Sequence, residues 1–141
     1  KLGFDIDLKT MKPEDYKFTQ EAVANWNRLK NVILDGELYR LVSPYETQHM
    51  SVNYVSQDKS KAVLFAYDLH PRYSEPQQTV RLQGLDANRT YFVKEINLMP
   101  NSTSSLQCNG QRYTGDYLTK VGLMVLSAEE GSSRVLELTA E

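Results

Sequence analysis

The sequence predicts a mainly β chain: an antiparallel, Greek-key-like β-sandwich preceded by one strand and one long α-helix. Three observations carry that expectation. A single helical stripe occupies the first quarter of the chain, and after Gly36 the apolar period changes to two and stays there. Turn-forming residues then recur every ten residues or so, the spacing of short strands joined by tight connections. Nine Tyr and four Phe stand against one Trp, a bias toward strands and half-exposed sheet surfaces.

Lys1 to Leu8 reads as a strand, because Phe4, Ile6 and Leu8 alternate with Asp5 and Asp7. A strand with no turn ahead of it is expected to be part of something longer. Pro13 suits the first helical position, and Glu14 and Asp15 complement the helix dipole. Phe18, Ala22, Trp26, Leu29 and Ile33 follow at steps of four, four, three and four, with Tyr16 and Val23 flanking. The spacing predicts a helix from Pro13 to about Asn31, ended by Asp35-Gly36 with the glycine in a left-handed conformation. The strands predicted beyond it are Glu37 to Leu41, His49 to Ser56, Lys61 to Tyr67, Gln77 to Gln83, Thr90 to Asn97, Leu118 to Leu126 and Arg134 to Thr139.

With 141 residues the chain is the size of one domain that can bury a core. Sixteen Lys and Arg against 18 Asp and Glu exclude the basic field of non-specific nucleic-acid binding. No apolar run approaches the ~18 residues of a membrane span, and no signal-peptide order of charge, apolar run and small residues opens the chain. A soluble protein, cytoplasmic or periplasmic, is expected, without nucleic-acid or membrane partners. The lone Cys108 excludes an intrachain disulfide or a cysteine-built zinc site.

Candidate chemistry is sparse. Asp5 and Asp7 share one strand face about 6.6 Å apart, a glycosidase-like separation, but alternating acids equally present a solvated face. His49 and His70 have no acid cluster at ligand spacing, and no serine sits in a nucleophile-elbow context. Cys108 lies beside Asn109-Gly110 with nothing to lower its pKa. Gly110, Gly115 and Gly122 form no phosphate cradle and read as turn and bulge positions. Asn88-Arg89-Thr90 and Asn101-Ser102-Thr103 match the glycosylation pattern at chance frequency. Tyr45, Tyr54, Tyr67, Tyr73, Tyr91, Tyr113 and Tyr117 either include a sugar-stacking platform or anchor core edges and loops.

Gly3-Phe4-Asp5-Ile6-Asp7-Leu8, Gly36-Glu37-Leu38-Tyr39-Arg40-Leu41-Val42-Ser43-Pro44, Arg81-Leu82-Gln83-Gly84-Leu85-Asp86, Tyr113-Thr114-Gly115-Asp116-Tyr117-Leu118 and Ser133 to Leu138 occur in that order. Together they resemble the C-terminal end of glycoside hydrolase family 36, the bacterial type of α-galactosidase. The resemblance implies a parent enzyme that removes terminal α-linked galactose with retention, using two aspartates on earlier strands of a TIM-type barrel. It further implies that residues 1–35 are the last strand and helix of that barrel and residues 36–141 the C-terminal sandwich. No residue here matches either catalytic motif, so the expected catalytic set is empty, and no cofactor or metal is implied. Trp26, Arg40, Pro44, Gly84 and Gly115 are expected in structural roles: Trp26 buried with Leu29 against the sandwich or a partner chain, Arg40 a forked anchor to carbonyls or to Asp7 or Asp35. The implied partners are the upstream barrel of the same polypeptide and a homo-oligomer, with galactosides bound only through the parent. The competing reading is an independent carbohydrate-binding module acting through a tyrosine face.

Overall fold

The computed structural model describes residues 7–70, 79–127 and 130–141. Helix α1 (Pro13–Asp35) is followed by strands β1 (Glu37–Val42), β2 (His49–Val55), β3 (Lys61–Asp68), β4 (Thr90–Ile96) and β5 (Arg112–Thr114), helix α2 (Gly115–Lys120) and strand β6 (Ser132–Ala140). The strands form one six-stranded sheet in the order β1-β2-β3-β6-β4-β5. Every adjacent pair is antiparallel. The first three strands make a meander. The last strand then returns to the middle, so the chain's end is tied between β3 and β4.

The mainly β, antiparallel architecture agrees with the sequence expectation; the second layer is built differently. On one face of the sheet, Leu64, Tyr91, Val93, Leu136 and Leu138 pack against Val80, Leu82, Leu85, Leu118, Leu123 and Val125. Most of that second set comes from segments predicted as the strands Gln77 to Gln83 and Leu118 to Leu126. Among the described residues these segments share only the bridge Val80–Leu123 and one further backbone bond, Leu82 N–H to the Leu118 carbonyl. The reason is local. The Thr114 hydroxyl accepts from Tyr117 N–H and caps a helix, α2, which takes residues 115–120 out of extended backbone. Residues 77 and 78 lie outside the described part.

The other face carries α1. Leu29 and Val32 press on Val63 and Ile96, with Ile33, Tyr54, Phe65 and Val135 around them. The helix runs to Asp35, beyond the expected Asn31, and Gly36 is not left-handed: its φ is −82° and ψ 170°. Glycine is needed there for closeness, since a Cβ would stand 2.2 Å from the Val32 carbonyl oxygen and 2.6 Å from that of Val55. Most of the expected first strand lies outside the described residues. Leu8 is in a turn, where Thr10 N–H reaches the Asp7 carbonyl at 3.2 Å.

Candidate functional site: an aromatic cleft and a buried polar cluster

Strand β2 inverts the usual alternation. Its buried set is His49, Ser51, Asn53 and Val55, facing the main core, while Met50, Val52 and Tyr54 on the helix side stay half-buried. They stay so because α1 covers only part of that face. Arg28 is ion-paired to Glu137 of β6, and the Asn25 amide donates to Asn97 Oδ1 at 2.8 Å, which ties the middle of the helix toward β6 and the end of β4 while the helix as a whole runs over β1–β3. Between α1 and β2–β3 this leaves a cleft of about 400 Å³ walled by Trp26, Met50, Tyr54, Phe65, Tyr67 and Val135. Tyr54 and Phe65 meet edge to face, centroids 6.0 Å apart. Among its lining residues only tyrosine hydroxyls titrate, and burial pushes that of Tyr67 up. The cleft therefore offers apolar contact and no acid, base or nucleophile for hydrolysis.

The buried set of β2 leads into a polar cluster at the ends of β2, β3 and β6. Asp68 is 1% exposed. Its Oδ1 meets His49 Nδ1 at 2.7 Å, and its Oδ2 accepts from Ser127 N–H (3.0 Å), Ser127 Oγ (2.9 Å), Ser132 Oγ (2.7 Å) and Arg134 Nη1 (3.0 Å). Burial pushes the Asp68 carboxyl up, but the hydrogen bonds from Ser132, Ser127 and His49 outweigh it and hold the group below its usual range. A His–Asp pair of this length orients imidazoles in hydrolases, yet both serines here hydrogen-bond the aspartate. With His49 only 4% exposed, the cluster joins strand ends and presents nothing to a substrate.

Several sequence candidates fall apart in space. Asp5 and Tyr73 lie outside the described residues. Asp7 is exposed and caps its own turn through Lys9 N–H. His70 is exposed and its ring pairs with Glu130 at 2.7 Å; its backbone N–H reaches the Gln48 carbonyl, so it borders the buried His49–Asp68 pair without its ring joining it. Burial pushes the Cys108 thiol up to about 11. The tyrosines divide among separate places: Tyr54 and Tyr67 in the cleft, Tyr113 and Tyr117 stacked at 5.1 Å, Tyr91 fully buried and Tyr45 98% exposed on a turn.

The residues expected in structural roles are also distributed. Trp26 is a half-buried wall of the cleft. Arg40 stands exposed on edge strand β1 opposite Val52, and among the described residues it forms no hydrogen bond or ion pair, so the anticipated fork is not made. Pro44 lies in the turn after β1, which the Glu46 N–H to Ser43 carbonyl bond closes. Gly84 has φ +80°, and a Cβ there would stand 2.3 Å from the Tyr39 ring. Gly115 opens α2 where a Cβ would meet the Asp86 carbonyl oxygen at 2.0 Å. Sequence reasoning missed the Asp68 cluster, because its other members, His49, Ser127, Ser132 and Arg134, lie 19 to 66 positions from Asp68 with no shared period.

Comparison with known proteins gives a consistent result. Residues 49–138 match the family model described as the glycosyl hydrolase family 36 C-terminal domain. The chain is 31% identical over 137 residues to alpha-galactosidase C of Emericella nidulans, covering 97% of this chain and 16% of that protein. It is 29% identical over 137 residues to a probable alpha-galactosidase G of Aspergillus terreus, covering 97% and 17%. The chain thus spans about a sixth of the length of these curated relatives. In fold it resembles the solved GH36 alpha-galactosidase AgaB of Geobacillus stearothermophilus, with a TM-score of 0.79 at 23% identity over 96% of this chain and 17% of that one. The matches are both fungal and bacterial, a wider range than the bacterial type suggested by the motifs.

Proposed function

The chain belongs to the glycosyl hydrolase family 36 C-terminal domain family, and from that premise we propose that it is the non-catalytic β-domain of an α-galactosidase polypeptide. The whole polypeptide would hydrolyse terminal α-linked galactose, and this domain would brace its catalytic barrel while contributing no reacting group. The observation that carries the reading is the family match over residues 49–138, together with relatives of which this chain is about a sixth.

The half-covered sheet face supports a bracing role. An aromatic cleft without titrating acids suits packing better than chemistry. Helix α1 also bears a second apolar line away from the sheet: Tyr16, Val23 and Leu34, exposed by 47%, 37% and 62%. They are seven and eleven residues apart, close to two and three full turns, so they share one side of the helix. Residues 1–35 would then belong structurally to the barrel and 36–141 to the β-domain, with α1 between them. Arg40, on the same uncovered face as Val52, would find its partner across that junction.

The test is to assay a nitrophenyl α-galactoside with the full polypeptide and with this chain alone. Turnover by the former and none by the latter is expected. Turnover by the isolated chain, or none by a folded full polypeptide, overturns the reading.

A further inference from the structure

Ser51 and Asn53 are each 0% exposed and project from the same face of β2 into the main core. The Asn53 amide nitrogen donates to the Gln83 carbonyl at 2.9 Å, which fixes the amide's orientation and leaves Oδ1 as a pure acceptor. Among the described residues neither that oxygen nor the Ser51 hydroxyl has a partner. Leaving a buried polar group unmatched is costly, so two such groups two residues apart on one strand call for a common solution.

The surroundings give a reason. Ser51 is flanked on β3 by a small residue, Ala66. On the other side the pairing of β1 with β2 slips between Arg40 and Val42, so Leu41 is an extra residue opposite Ser51. A bulge of this kind interrupts the ladder and bends the strand locally. Side chains at i and i+2 emerge about 6.6 Å apart. A hydroxyl and a longer amide at that separation do not meet directly here, but one water molecule with two hydrogen bonds spans up to about 5.6 Å.

We propose that this site holds one permanently bound water, donating to Asn53 Oδ1 and hydrogen-bonded to Ser51 Oγ. It completes the polar set of β2 beside the bulge. A folded protein holds roughly one buried water per 27 residues, each usually with about three polar partners, and this is the place in the described core that requires one. The buried polar set of β2 then belongs to the core through a solvent molecule, while the strand's apolar set faces the cleft.

A crystal structure of the full polypeptide at about 1.8 Å or better decides the matter, with Ser51→Val solved alongside. The expected result is one well-ordered peak within about 2.6–3.2 Å of both Ser51 Oγ and Asn53 Oδ1, absent in Ser51→Val, whose added methyl groups take its place. A direct Ser51–Asn53 hydrogen bond, a peak touching only one of them, or no peak overturns the proposal. If Ser51→Val does not fold, the unsubstituted protein's density alone decides by the same criteria.

Discussion

At Asp68 five donor contacts converge on one nearly inaccessible carboxylate. Asp68→Asn puts an amide among donors and leaves the Arg134 guanidinium, 13% exposed, without its counter-charge. Removing one member of a buried pair costs about 3 kcal/mol or more, so a urea melt at pH 7 is expected to show at least that loss. The pH dependence follows from the direction of the shift. The folded carboxyl titrates below the unfolded value of about 3.9, so the unfolded chain takes up the proton first as pH falls. The stabilisation is complete above that value and is lost as pH drops through the folded one. Melts between pH 6 and pH 3 are expected to show a shallower slope for Asp68→Asn than for the parent. Asp58, held at about 2 by hydrogen bonds from Ser56 and Ser60, titrates in both proteins and cancels in the comparison. Cys108, with its thiol at about 11, is a thiolate in only about one molecule in a thousand at pH 8. Ellman's reagent is expected to modify the native thiol at least about a hundredfold more slowly than in urea; comparable rates would place that residue at the surface.

Among the elements, α1 shows how a stripe read from sequence divides once it is packed. Ala22, Trp26, Leu29 and Ile33 do share the helix side that meets the sheet, and Phe18 continues that line toward the helix start. Leu29 is 2% exposed at the centre of the contact, while Trp26 borders the open cleft and the buried Val32 was not in the predicted stripe. Leu29→Ala is therefore expected to cost about 3 kcal/mol, and Trp26→Ala about 2 kcal/mol because part of its ring still faces the open cleft. Urea melts of the two variants check the order; a larger loss at Trp26 would mean that the cleft closes over it. Helix α2 shows the complementary case. Tyr113-Thr114-Gly115-Asp116 reads locally as turn residues, and a three-residue strand with a six-residue helix is too short to impose a period. Its position depends on Gly115 against the Asp86 carbonyl, a contact between residues 29 positions apart in the chain.

For the whole molecule, the uncovered face of β2 and β3 is the feature with consequences. Val52→Asp or Tyr67→Asp places a charge in an apolar cleft that, in the proposed function, is an internal seam of a larger polypeptide. The expected outcome is a melting temperature lowered more in the full polypeptide than in this chain alone, with the Michaelis constant for a galactoside unchanged. Thermal denaturation of both forms beside steady-state kinetics checks it. Equal destabilisation in the two would mean that this face meets only solvent.

Periodicity determined the one long helix and five of the six strands, because a side chain's face follows from its own backbone geometry over a few residues. The motifs Tyr39 to Pro44 and Arg81 to Asp86 likewise sufficed to point to the family. Tertiary structure alone decided which face of β2 is core. The apolar set Met50, Val52 and Tyr54 looks like the inward one, yet it lines the cleft, while His49 and Asn53 on the opposite set are buried with hydrogen-bond partners, Asp68 and Gln83, from other parts of the chain. It also decided that, among the described residues, the second layer is held by a bridge and a short helix. Alternation states that a strand has two faces; only long-range contacts, whose partners share no local pattern, settle which of them loses its water.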